Sequence, residues 1–317
     1  MSSSNPKHDL EKASTTPGLP LSLGIGPLIE KADVERHPRA IDMRSLMICA
    51  LCMGLAAVVA PVARLLMLLI GLITNLVFFG RVSGELVSPA GSPLGVWIVV
   101  MPVIGSIIVG LMARYGAKAI RGHGIPEAME QILTNDSRIP VRMTFLKPLS
   151  AAAAIGTGGP FGAEGPIIAT GGALGSLLGQ LIRVSAHERK VLLAAGAAAG
   201  MTAIFATPFS AILLAIELLV FEFRPRSFIP IALAALTAIW LRPWLFGVHP
   251  VFAVPLLPAA SQTALIGYVL EGLFMGVLAV GIARSTYLIE DLFHKLPVHW
   301  MWWPAIGGLA VGIVGLI

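Results

Sequence analysis

The chain has 317 residues, of which 56% are apolar and 12% charged, with a net charge of +5. A mean hydropathy of +0.85 excludes a soluble globular domain and indicates an integral membrane protein. The positive balance falls on loops and termini, where it sets topology, so no nucleic-acid partner is expected.

Residues 1–40 are rich in Ser, Pro and charge and lack an apolar core segment. They read as a cytoplasmic tail and not as a cleavable signal peptide. Lys31, Arg36, Arg39 and Arg44 crowd before the first apolar run, and by the positive-inside rule they hold this end in the cytoplasm. Residues 43–80 carry Arg64 and Pro61 as interruptions but no turn, which predicts one long tilted helix. Cys49 and Cys52 form a Cys-x-x-Cys inside it. Polar surroundings and further ligands are missing, so they read as small buried hydrophobes, and no metal or cofactor is expected.

Residues 81–93 are a Gly/Pro/Ser loop, and 94–113 a clean span ended by Arg114, Lys118 and Arg121. Gly122, His123, Gly124, Ile125, Pro126 and Glu127 then make a Gly-rich turn feeding a helix over about 126–133, too short to cross a bilayer. The most informative stretch is 156–176, in which seven of the first eleven residues are Gly or Pro. Apolar runs flank it at 148–156 and 167–182. A chain broken inside the bilayer leaves N–H groups unpaired, which is tolerated only where they are buried in protein or line a cavity. A helix restarting at Pro166 aims its free N–H groups and positive dipole end into that cavity, and such an end binds anions. Glu164 is itself an anion, tethered where a free one could sit. Paired short, interrupted helices of this kind point to a mid-membrane binding site.

Glu188, Arg189 and Lys190 read as a polar turn. The segment 191–205 is Ala/Gly-rich, breaks at 206–208 and resumes over 209–220. Small residues four apart, at Gly175/Gly179, Gly196/Gly200 and Gly272/Gly276, predict helices touching backbone to backbone. Residues 227–241 form a further span, followed by a Pro-rich loop to about Ser261. Residues 263–292 read as another long helix containing Glu271 and Arg284. Trp300, Trp302 and Trp303 form an interfacial anchor before a last apolar run that stops at Ile317 without a polar flank.

With these residues in view, the chain resembles the CLC family of chloride channels and proton-coupled chloride transporters, over about residues 43–317. Residues 122–126 (Gly-His-Gly-Ile-Pro) look like the family's Gly-Ser-Gly-Ile-Pro anion motif. Residues 162–166 (Gly-Ala-Glu-Gly-Pro) look like its Gly-Lys/Arg-Glu-Gly-Pro motif, and 197–217 is similar to its following helix pair. The resemblance implies an all-α polytopic fold of two inverted repeats with broken and re-entrant helices, the second half truncated here. It divides the chain into a tail, 1–40, and a transmembrane domain, 41–317. It also implies a homodimer in the cell membrane, each subunit carrying its own pathway for chloride or a similar small anion. Glu164 would be the gate. Gly122, His123, Gly124, Ile125, Pro126, Gly162, Ala163, Gly165 and Pro166 would bind the anion, and Glu217 would lie on the proton pathway.

Several positions depart from the family pattern. His123 stands where Ser is usual; either its imidazole donates an N–H to the anion, or backbone groups alone do so with His123 turned aside. Ala163 replaces a Lys or Arg that would favour incoming anions. Leu218 replaces a second Glu found in many proton-coupled members, which favours channel-like conduction. The alternative is exchange through a relay at Glu217 or Glu222. Glu217 also reads as a structural partner at a subunit interface, and Glu222 as a solvated end residue beside Arg224 and Arg226.

Three other functions are rejected. The glycines of 156–162 lack the strand and following acidic residue of a dinucleotide loop. An intramembrane enzyme would need a His-x-x-x-His or Gly-x-Ser-x-Gly cluster, and His123, His187, His249, His294 and His299 are scattered. A cation transporter would line the break with several carboxylates.

Overall fold

The structure, a computed structural model, describes residues 43–121, 124–248 and 261–316. The predicted tail at 1–40 and the Pro-rich loop before Ser261 lie outside the described residues, as do Gly122 and His123. All described elements are helical.

Helix α1 (Met43–Phe79) is a single 37-residue helix running through Pro61, as the absence of turn residues predicts. At ~1.5 Å per residue it is far longer than the ~30 Å apolar core of a bilayer, so it must tilt. Asn75 is fully buried and ties the following loop to it. Its Nδ2 donates to the carbonyls of Gly71, Ser83 and Glu85, while its Oδ1 accepts from Arg81 Nε at 2.7 Å. The next span (Gly95–Gly116) contains α2 (Val100–Leu111). The short α3 (Ile125–Thr134) and α4 (Val141–Gly156) follow.

Helices α5 (Glu164–Leu181) and α6 (Ala186–Phe205) form the centre. Gly171 lies against Gly196 so closely that a methyl on either would meet the other's carbonyl oxygen, and Gly175 lies equally close to Leu192. Gly179 packs on Arg189 and Gly200 on Ile167, giving an antiparallel register. Van der Waals contact at this range replaces the hydrophobic drive that lipid removes. Nearly every residue of 191–204 is buried, which is why this part of α6 is apolar all round and not amphipathic. The helix begins at Ala186, so the predicted polar turn at 188–190 is its first turn. Ser185 and Glu188 form a reciprocal capping box that starts it there.

After α6 the chain turns at Ala206, which is left-handed at φ 57°. It then forms α7 (Pro208–Leu214), continued by a π-helical segment (Ala215–Val220), and α8 (Pro225–Phe246). Helix α8 packs on α1 and α6, so α6 is enclosed by α1, α5 and α8. Helix α9 (Gln262–His294) has no buried residue. The predicted close packing at Gly272 and Gly276 is therefore not met among the described residues, where a methyl added at either would find no atom of another helix within 4 Å. Helix α10 (Trp303–Val314) docks on the second span through Gly308, whose added methyl would stand 2.7 Å from the Pro102 carbonyl oxygen.

Candidate functional site

Two helix starts, forty residues apart in sequence, meet in space. Gly124 caps α3 at φ 61° and ψ −83°, a conformation open to glycine and costly for other residues. A side chain there would also be blocked, because its Cβ would stand 2.5 Å from the Gly165 Cα and 2.6 Å from the Gly165 oxygen. The first turns of α3 and α5 therefore abut through bare backbone. Ile125 is half-buried and Pro126 exposed at the start of α3.

Helix α5 begins at Glu164, two residues earlier than the expected start at Pro166. Ala163 has nearly helical dihedrals and its carbonyl accepts from Ile167 N at 3.0 Å, closing the first turn there. Pro166 consequently sits inside that turn and brings no N–H, leaving the amides of Glu164 and Gly165 at the tip. Both helix dipoles present their positive ends to this junction. The Glu164 side chain is exposed, as is Gly162, while Ala163, Gly165 and Pro166 are half-buried. Among the described residues, no hydrogen bond or ion pair engages the Glu164 carboxylate.

Behind Gly124 lies a feature the sequence reading missed. Lys147 of α4 reaches Glu127 of α3 at 2.7 Å, with side chains only 8% and 12% exposed. Lys147 Nζ also donates to the Ile120 carbonyl at 3.4 Å. Gly124, Glu127, Gln131, Met143, Lys147 and their neighbours line a small, partly open pocket of about 10 Å³, room for about one water. On the other side, the Arg121 guanidinium lies 4.2 Å from the centre of the Trp300 ring. Trp300, read as an interfacial anchor, thus also holds the segment that leads into the motif.

Glu217 is exposed on the π-helical segment, and Leu218 beside it is half-buried. That segment packs against α3. Left-handed Ala206 and Phe221, at φ 57° and 58°, bracket α7 and this segment. Glu222 is not a merely solvated end residue. It accepts from Ser227 Oγ at 2.7 Å and lies 3.6 Å from His187 Nε2 and 3.5 Å from Arg224 Nε. Arg44 reaches the Glu188 carboxylate with two bonds of 2.6 Å and 2.8 Å. These bonds, chiefly Arg44's, hold the carboxyl of Glu188, in the polar turn ahead of the apolar part of α6, down at about 2 despite burial.

A bundle of broken, apolar helices, with two N-termini meeting at a glycine junction beside an exposed carboxylate, is the architecture of a polytopic membrane protein. A family profile described as "Voltage gated chloride channel" matches residues 104–317, and the chain belongs to that family. The "Putative chloride channel protein ClcB-like" of Ralstonia nicotianae is 28% identical over 226 residues, which make up 68% of this chain and 51% of that protein. An "H(+)/Cl(-) exchange transporter ClcA" of Yersinia pseudotuberculosis is 30% identical over 245 residues, 73% of this chain and 50% of that protein. The crystal structure of a slow cyanobacterial Cl−/H+ antiporter shares the fold at a TM-score of 0.62 and 20% identity, over 89% of this chain and 64% of that one. The chain spans about half the length of these two sequence relatives.

Proposed function

We propose that the complete protein moves chloride or a similar small anion across the membrane through a pathway gated by Glu164. The observation that carries this is the Gly124–Gly165 junction, where two helix N-termini converge beside a carboxylate without a partner among the described residues. Residues 122–126 and 162–166, with the N–H groups of both turns, form the anion site. Deprotonated, Glu164 competes with the anion for these donors; protonated or swung aside, it leaves them free. The working unit is a homodimer in the cell membrane with a cytoplasmic N-terminus.

Leu218 favours uncoupled conduction, because an aliphatic side chain carries no proton. A second reading, proton-coupled exchange through Glu217, is favoured by the exchange-transporter relative. The test is flux from liposomes holding the full-length protein. Glu164→Gln is expected to keep chloride efflux and lose its pH dependence; a wild-type pH profile in that variant would overturn the gate. A chloride gradient that drives protons uphill decides for exchange, and efflux without proton movement decides for a channel.

A further inference from the structure

Two arginines within the apolar helices take no part in the Glu164 site. Arg64 stands inside α1 and Arg242 near the end of α8, and both guanidinium groups lie over the ring of Phe246, 5.5 Å and 5.8 Å from its centre. Arg242 is only 8% exposed. Its Nη1 reaches the Gly247 carbonyl at a long 3.4 Å, and its buried Nε has no partner. A guanidinium has five N–H donors and keeps its proton in proteins, so burial cannot neutralise it. Ionised groups at membrane depth are paired or face a polar path. Helices α1, α4 and α8 contain no Asp or Glu, α6 has only Glu188 in its first turn, and α5 only Glu164. No ion pair joins either arginine to a described carboxylate.

Packing register carries Arg64 toward the height of Glu164, and the shared Phe246 ring keeps Arg242 beside it. Gly196 meets Leu55 and Gly171, and Gly200 meets Val59 and Ile167. Each turn along α1 is therefore a turn back along α5, and the next step brings Ala63 and Arg64 level with Ala163 and Glu164. Ala163 and Phe246 indeed pack on the same apolar cluster, with Ala60, Ala63 and Ala203 at its heart.

We propose that Arg64 and Arg242, held over Phe246, form a binding site for a small monovalent anion at the level of Glu164. Arg242 supplies its unpaired Nε–H donor and Arg64 a second charge, while the ring face of Phe246 steadies both. Ala163 contributes no charge beside the gate, so the pair supplies positive potential there and concentrates anions before they reach it. Only this role in transport rests on the anion-pathway reading; binding does not.

The experiment titrates sodium bromide against sodium gluconate, at constant ionic strength, and reads the thermal stabilisation of the full-length protein in detergent. Arg242→Gln and Arg64→Gln are each expected to raise the half-saturating bromide concentration about tenfold, and Arg64→Lys to stay within about twofold of wild type. Because Arg242→Gln can fail to fold, half-buried Arg64 decides alone if needed. A bromide isotherm for Arg64→Gln that coincides with wild type overturns the site. Stabilisation by phosphatidylglycerol and none by bromide also overturns it, making Arg64 a lipid contact. Chloride flux is measured in parallel: a wild-type protein without flux contradicts the pathway reading, and the bromide isotherms still decide this one.

Discussion

Lys147→Met tests whether the ion pair behind Gly124 holds the α3 start in place. The pair is nearly dry, at 8% and 12% exposure and 2.7 Å separation. Losing the ammonium strands the Glu127 carboxylate, 12% exposed, beside a partly open pocket of about 10 Å³, which holds about one water. Removing one member of a buried pair costs about 3–5 kcal/mol, whereas replacing both by neutral groups is often near neutral. At roughly 2–4 °C per kcal/mol for a chain of this size, Lys147→Met should lower the midpoint of unfolding by roughly 6–20 °C. The double variant Lys147→Met/Glu127→Gln should recover most of that loss, giving a coupling of about 2–3 kcal/mol in the cycle. Tryptophan fluorescence during heating of the full-length protein in detergent reads both values. If the single and double variants unfold together, or Lys147→Met unfolds within about 1 °C of wild type, the pair does not anchor α3.

Two further outcomes follow from the packing and the cap. Gly171→Ala should cost about 1–3 kcal/mol, because the added methyl runs into the Gly196 carbonyl, while Gly54→Ala, with nothing within 4 Å, should be neutral or slightly stabilising; equal midpoints for the two would refute the backbone contact. The Glu188 carboxyl sits at about 2 in the fold against an ordinary 4.5, so its contribution is complete above pH ~4.5 and lost as pH falls toward ~2, about 2 kcal/mol once the half-exposed Arg44 is discounted. Glu188→Gln should flatten that part of the stability–pH curve, and an unchanged curve would refute the assignment.

What was legible in the sequence is what glycine and proline mark. The breaks before Ile125 and Glu164 showed because a membrane helix has no other use for such clusters, and α1 showed because nothing in it could turn. The meeting of Gly124 with Gly165 was not legible, since it depends on how α3 and α5 pack across forty residues. Lys147 was invisible for a related reason. A lysine just ahead of Pro148 marks the edge of an apolar run, yet a capless helix start at Val141 draws it a full turn and more into α4 and buries it. The α5 start was misplaced by two residues because Pro166 is favourable at a first helical position, but nearly helical dihedrals at Ala163 let the turn close earlier.

The partners of Glu217 and Glu222 bear on how a proton could accompany the anion. Glu222 is already engaged by Ser227, Arg224 and His187, so a relay through it would have to break a hydrogen bond and leave the Arg224 guanidinium less well balanced. Glu217 carries no such commitment among the described residues. It sits on a π-helical segment, a geometry common at functional positions. Left-handed Ala206 and Phe221 flank its stretch of chain, each at a cost of about 1–2 kcal/mol that surrounding packing must offset. A chain that sustains strain on both sides of one exposed carboxylate is holding that stretch in a fixed pose against α3. If protons accompany the anion, Glu217 is therefore the better-placed candidate to carry them, and Glu217→Gln in the liposome assay should abolish any uphill proton movement.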